Sequence, residues 1–464
     1  TSLKTNRAST DTKEFLNRAQ SDDWYERLSW DLLKLNGSDI KMDKVTSCRG
    51  EDMPKILVPD GFFRRVKNIS LRVVAKIDTL AQKRKKFILH RLGYSFFDEV
   101  RMFVHSRLIP HFYFSEPEYI NFDSNIRENF KIEPLLYDSF MSTLYSLLPQ
   151  YMPKLFLENF ISSIDFVDRT YPEASENIIT GTGYYIDDYF KLYVARAIEK
   201  GVNYSIIQHG GGFGMAAFND EEELKLKTAD VIYSWGWTQN PELHSKTKIV
   251  PIGSITLGKL QNRLGALTNR NPRFIICPIS EWTRYTFRLF SASLPFRQID
   301  YLTDACELHH SLSHSAQKLL KFRLQSGDRG WHVKNWFELN GLGDSVLSNT
   351  NKFVDDFADA KILIVNTIST TIIEAFISNI PTIAIVREDH WGLREEVRPI
   401  FGELARVGIL YTDNEHAARH IEKIVAAPED WWGRSDVQQV RATFLEEFGV
   451  GQIDLITRIK SRLG

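Results

Sequence analysis

The chain reads as an α/β protein built from two Rossmann-like halves joined near residue 265. Short apolar runs alternate with segments of helical period, which is the pattern of a parallel sheet with helical crossovers. That alternation restarts after a polar, Asn/Arg-rich stretch, QNRLGALTNRNPR (261–273). With 464 residues, 43% of them hydrophobic and 25% charged, the chain is long and apolar enough for two such cores.

Taken in order, residues 1–60 form a polar, helix-prone lead-in that ends near Pro54 and Pro59. The segment GFFRRVKNISLRVVAKIDTLAQKRKKFILHR (61–91) carries ten Lys or Arg among hydrophobics at roughly helical spacing. It reads either as a helix with a solvated basic face or as a surface for anionic lipid or a lipid-linked anionic acceptor. Aromatic-rich helical segments continue to about residue 168. ENIITGT (176–182) then reads as a buried strand, DDYFKLYVARAIEKG (187–201) as a helix with a glycine stop, and VNYSIIQHGGGFG (202–214) as a strand running into a glycine loop. ADVIYSWGW (229–237) and TKIVPIGS (247–254) are further strands.

The second half repeats the pattern. RFIICPIS (273–280) is a strand, 301–320 a helix, and LLKFRLQ (319–325) the next strand. AKILIVNT (360–367), TIIEAFISN (371–379) and PTIAIV (381–386) follow as strand, helix and strand, and helices at 415–426 and 435–463 close the chain. The predicted division is therefore a lead-in at 1–60, an acceptor-side half at 61–262 and a nucleotide-binding half at 263–464. In open α/β sheets ligands bind at the carboxyl ends of the strands, so the two halves are expected to face each other across a cleft.

Composition excludes several classes. A net charge of −1 gives no overall field for nucleic acid. Three dispersed cysteines, Cys48, Cys277 and Cys306, suit neither a disulfide framework nor a zinc site. No stretch of 18 apolar residues occurs, and the opening TSLKTNRASTDTKEF is polar throughout. A cytoplasmic protein is expected, with peripheral contact at the inner membrane where the basic segment meets anionic lipid. No metal-ligand spacing is found, so no metal is expected.

Five segments carry candidate chemistry. In QHGGGFG (208–214) the run Gly210, Gly211 and Gly212 removes three Cβ atoms, letting backbone N–H groups approach a ligand. His209 immediately before it reads as a proton-handling group aimed into a cleft rather than an incidental turn residue. In NTISTTIIEAF (366–376), Ser369, Thr370 and Thr371 stand at a helix start, where free N–H groups and the dipole favour a phosphate. Ordinary capping is the competing reading. Glu374 lies one turn further, within reach of ribose hydroxyls. RLQSGDRGW (323–331) offers Arg323 as a bidentate partner for a phosphate or carboxylate, against a plain surface turn; Arg284 is a second such cation. In EEELKLKTADVIYSWGW (221–237), Glu222 is a candidate acid, and Trp235 and Trp237 either stack on a sugar or fill core. Asp187 and Asp188 open the helix before the glycine-loop strand, with Asp188 the first candidate for base or nucleophile.

Together these segments resemble a bacterial family of transferases found among O-antigen and capsule biosynthesis enzymes. The shared pattern is a QHGGxxG loop, a Glu-rich helix leading to an AD…WGW strand, an R…DxGW loop, and an N-T-x-x-T-x-x-E-A…PT segment. The resemblance covers about residues 175–400. It is similar in layout to the ulosonic-acid transferases that use CMP-Kdo or CMP-pseudaminic acid, and more distantly to CDP-glycerol glycerophosphotransferases. It departs from both in lacking their His-Pro pair, whose place is taken by RLQSGDRGW. The resemblance implies a GT-B-like fold with the nucleotide in the C-terminal half. The expected reaction is transfer of a 2-ulosonic acid from a CMP-sugar to a glycan or lipid-linked glycan. It is expected to be metal-independent, because a single-phosphate donor needs no bridging cation and no metal signature occurs. Asp188, or next Glu222, is expected as base or, in a retaining double displacement, as nucleophile, with His209 as proton-handling partner. A CDP-glycerol-type transferase and a non-catalytic sugar-nucleotide-binding subunit are the alternatives.

Overall fold

The computed structural model describes residues 8–19, 22–35, 84–95, 98, 124–130, 139–239, 246–265, 271–282, 297–325, 327–347, 353–387, 391–452, 455 and 458–459. The fold class expected from the sequence is the one observed: two five-stranded sheets in which the registered neighbours run parallel. The first sheet has the order β1-β2-β3-β4-β5, with β1 Arg84–His90, β2 Glu173–Thr180, β3 Asn203–Ile207, β4 Val231–Ser234 and β5 Lys248–Pro251. The second has the order β10-β9-β8-β6-β7, with β6 Phe274–Ile279, β7 Leu320–Leu324, β8 Ala360–Val365, β9 Thr382–Ile385 and β10 Leu410–Tyr411. By contact density the chain divides into two compact units, Thr1–Gly93 with Leu108–Tyr204, and Tyr94–Arg107 with Ser205–Gly464.

The first unit is organised by β1 and β2. They pair in parallel from Arg84↔Glu173 to His90↔Thr180, and Ile88, Leu89, Ile178 and Ile179 are buried. This corrects the helical reading of the basic segment over 84–90; residues 61–83 lie outside the described residues. Phe87-Ile88-Leu89 is a continuous apolar run, and burial against β2 outweighs the helical spacing suggested by the preceding cations. Helix Asp188–Glu199 packs against β2, and its Phe190 and Val194 are buried, the Phe190 ring lying 4.4 Å from that of His90 between centroids. Arg127 and Glu158, both buried, form a bidentate pair at 2.6 Å, and Arg127 also donates to the carbonyls of Pro149 and Met152.

In the second unit the strands of the second sheet are nearly all apolar. Ile275, Phe322, Ile362, Leu363, Ile364, Ile383 and Ala384 are inaccessible to solvent, as expected when helices cover both faces of a parallel sheet. The helix expected over 301–320 is two helices, Gln298–Ser311 and His314–Leu319, because Ser313 caps the second through the Ala316 N–H. The closing helix ends at Phe448, and the following backbone bonds back to the first sheet: Val450 N–H donates to the Trp235 carbonyl, and Ser254 N–H to the Val450 carbonyl. The two-residue strand β10 was not anticipated, since two residues carry no period. Among the described residues no helix is long and apolar enough to cross a membrane.

Candidate functional site

The site forms where the glycine loop after β3 meets the start of helix Thr370–Ile377. Gly211 N–H donates to Thr370 Oγ1 at 2.8 Å. A Cβ on Gly211 would lie 2.5 Å from Thr370 N and 2.8 Å from the Ser369 carbonyl carbon, so only glycine permits this approach. Gly212, at φ 89°, sits against the Ile368 carbonyl in a conformation that disfavours other residues. The two motifs singled out in the sequence are thus brought together, Gly210, Gly211 and Gly212 lying against Ile368, Ser369 and Thr370.

The helix start is built as expected. Ser369 is the N-cap, its hydroxyl accepting from Thr371 N–H and lying 3.0 Å from Thr367 Oγ1. Capping occupies one of the free N–H groups and leaves others of the first turn without a partner in their own helix. Glu374, one turn on, has its carboxyl pushed up to about 7 by burial. At neutral pH it is partly protonated and so both donates to and accepts from hydroxyls.

The loop itself is anchored by Gln208. Its Oε1 accepts from Trp235 N–H and Trp237 Nε1, both at 2.8 Å, and its Nε2 donates to the Gly210 carbonyl at 2.7 Å. Trp235 and Trp237 are each 3% exposed, so they are core and anchor rather than a stacking platform. His209 is half-exposed beside this anchor, with Nε2 at 3.4 Å from Glu221 and its ring edge-on to Phe213.

Several expected site residues are held elsewhere. Glu222, 1% exposed, accepts from Gly214 N–H at 2.7 Å and pairs with Arg394, so both carboxylate oxygens tie loop to helix. Asp188, in the first unit, accepts from Thr12 N–H at 2.7 Å and pairs with Lys191 at 2.9 Å. Each of these two acids is buried with both oxygens engaged in contacts within the fold. Neighbouring Asp187 caps its helix through Phe190 N–H and pairs with buried His90 at 3.1 Å. Those contacts and Arg91 hold its carboxyl below the usual range despite burial. Arg323 pairs through its Nε with Asp356 at 2.5 Å. Arg284 lies outside the described residues.

The sequence missed Glu281. It follows β6 and accepts from the N–H groups of Arg329 and Trp331, at 2.6 and 3.3 Å, which shapes the 327–331 loop. Burial, with Asp328 alongside, raises its carboxyl above the ordinary range. Glu281 and Asp328 line a cavity of about 820 Å³ at the carboxyl ends of β6 and β7. The strand order reverses between β6 and β8, the switch point where open sheets bind ligands. Asn366 stands there at the end of β8, accepting from the Tyr301 hydroxyl at 2.6 Å. No period or composition signal marks Glu281; its role arises only when the loop after β7 folds over it.

Two outcomes are expected. Gly211→Ala forces the loop off the helix start and lowers stability by about 1–3 kcal/mol. Gly210→Ala, whose Cβ meets nothing nearer than Thr370 Oγ1 at 3.8 Å, stays within about 0.5 kcal/mol in urea unfolding. For Glu374, the folded value lies above its ordinary 4.5, so its contribution to stability is full below that pH and is lost as pH rises through about 7. Glu374→Gln should therefore raise stability at pH 8 by about 1–3 kcal/mol and leave it nearly unchanged at pH 4.5, measured by unfolding at both pH values.

Known structures match the chain at low identity and low TM-score. An O-GlcNAc transferase variant of Thermobaculum terrenum matches at 12% identity and TM-score 0.40, covering 82% of this chain and 68% of that one. MurG of Acinetobacter baumannii matches at 11% and 0.39 over 82% and 99%. The UDP-GlcNAc 2-epimerase of Neisseria meningitidis matches at 10% and 0.38 over 78% and 99%. Likeness at this level leaves activity and substrate to be argued from the site. No curated protein matches the chain at the sequence level. A family model matches residues 2–463, and by that match the chain belongs to the LIC12162 family of transferases.

Proposed function

We propose that this transferase is a glycosyltransferase of the GT-B type. It moves a 2-ulosonic acid, of the pseudaminic acid or Kdo type, from a CMP donor to a surface-polysaccharide acceptor. The observation that carries the reading is the junction of Gly211 with Thr370. It sets a glycine loop, a capped helix start and a half-protonated carboxyl within one turn of each other. The first-turn N–H groups suit a single phosphate, and Glu374 suits the ribose hydroxyls beside it. Helix N–H groups neutralise a leaving CMP without a bridging cation, so transfer is metal-independent. With Asp188 and Glu222 engaged, His209 is the group proposed for proton transfer.

Thr370→Ala with Glu374→Ala should weaken CMP binding at least tenfold, about 1.4 kcal/mol, in a folded variant. A thermal-shift panel of CMP, CDP, UDP and GDP checks the base and phosphate count. Preference for CDP would favour a glycerophosphotransferase, and preference for UDP or GDP would sink the ulosonic-acid donor. Transfer is expected to survive EDTA; loss restored by Mg²⁺ or Mn²⁺ would count against the metal-free mechanism.

A further inference from the structure

A second cavity, of about 920 Å³, opens at the carboxyl ends of β8, β9 and β10 and is walled by helix Gln298–Ser311. That volume is within the range of small-molecule sites. Its floor is apolar: Cys277, Ile364 and Ile385 come from the strands, Leu308 from the helix, and Trp391, 5% exposed, from the segment after β9. The Trp391 side is held to the glycine loop, because Ala217 N–H donates to the Gly392 carbonyl at 2.9 Å and Arg394 N–H to the Met215 carbonyl at 3.1 Å. The cavity also reaches Asn366, three residues before the N-cap Ser369, so it adjoins the helix start assigned to the donor phosphate.

The polar lining sets what can enter. Among the described residues it carries four carboxylates, Asp304, Glu307, Asp413 and Glu415, against the Arg387 guanidinium and two histidines. Such a lining disfavours a phosphate or a carboxylate and accepts from N–H and O–H groups. Asn366 supplies a donor. Its Oδ1 is taken by the Tyr301 hydroxyl at 2.6 Å, while its Nδ2 has Cys277 Sγ at 3.9 Å, a weak acceptor. Asp304 follows Tyr301 by one turn of the same helix and pairs with Arg387 at 3.1 Å. The helix face that orients the amide donor therefore also carries an anionic acceptor. An acceptor, a donor and an apolar floor together complement an acylamino group, which presents an N–H, a carbonyl and a methyl.

We propose that this cavity receives the sugar of the donor, and that this sugar bears an acylamino group. Asp304 accepts the acylamino N–H, Asn366 Nδ2 donates to the acyl carbonyl, and the methyl rests on the apolar floor. The proposal rests on the reading of the helix start as the phosphate site and deepens it by naming the sugar class. In a CMP-activated 2-ulosonic acid the carboxylate and the phosphate share one carbon. Both anionic groups then stay at the helix start, and the uncharged remainder extends into the acid-lined cavity without repulsion. The lining selects the pseudaminic acid type, which carries acylamino groups, over the Kdo type, which carries hydroxyls in their place.

The test is calorimetric titration of the full chain with CMP, CMP-Kdo and CMP-pseudaminic acid. CMP-pseudaminic acid should bind about tenfold or more tighter than CMP-Kdo. Asp304→Asn, which keeps the shape and removes the charge, and Asn366→Asp, which turns the donor into an acceptor, should each abolish most of that preference. If a variant does not fold, the preference of the parent protein still decides. Equal binding of the two CMP-sugars, or a preference that both folded variants retain, would overturn the proposal. Failure of the donor reading shows differently, as binding of UDP without binding of CMP. The cavity is then tested with UDP-N-acetylglucosamine against UDP-glucose: the same tenfold preference supports it, and equal binding overturns it. Binding of neither nucleotide overturns both readings.

Discussion

The approach of the Gly211 backbone to the first residues of helix Thr370–Ile377 is the constraint on which the rest of the site depends. Backbone meets backbone at a distance that leaves no room for a Cβ, and neither partner can swing aside as a long side chain would. The Thr370 hydroxyl converts the contact into a directed hydrogen bond. A helix start then has a run of N–H-bearing glycines beside it.

That contact is held by devices that are individually ordinary. Gln208 Oε1 takes the Trp235 main-chain N–H and the Trp237 indole N–H while its Nε2 holds the Gly210 carbonyl, so the strand end, the glycine turn and one indole share a single side-chain amide. Glu222 fixes the far side of the loop through Gly214 and is itself fixed by Arg394. Polar groups buried this deeply are tolerable only when every oxygen is occupied. Asp188, with Thr12 and Lys191 on its two oxygens, obeys the same rule in the first unit.

The helix after the glycine loop divides its carboxylates by direction. Four acids open it, and the dipole favours all of them equally. One, Glu222, turns into the loop; another, Glu221, turns to His209 and Lys225; a third, Glu223, pairs with Lys227 at the surface. Neighbouring residues with the same side chain thus do three different things, decided by the 100° step between successive helix positions.

The sequence by itself determined the α/β class, nearly every strand of both sheets, and the two motifs that build the site. Those features depend on local signals: apolar runs, glycine clusters, and hydroxyls at a strand-to-helix turn. The Glu221–Lys225 spacing of four was also present in the chain, yet an acidic run gives no sign of which member faces inward. Other features depended on partners distant in sequence. Arg84–His90 became a strand because β2 was available to bury its apolar run, not because of its own period. Trp235 and Trp237 became core because Gln208 reaches both. Arg323 is turned to Asp356, thirty-three residues further on, and Glu281 gained its role from a loop almost fifty residues away. Whether an ionisable side chain is reactive or structural depends on which groups occupy its oxygens or nitrogens, and that is settled only when the chain closes on itself.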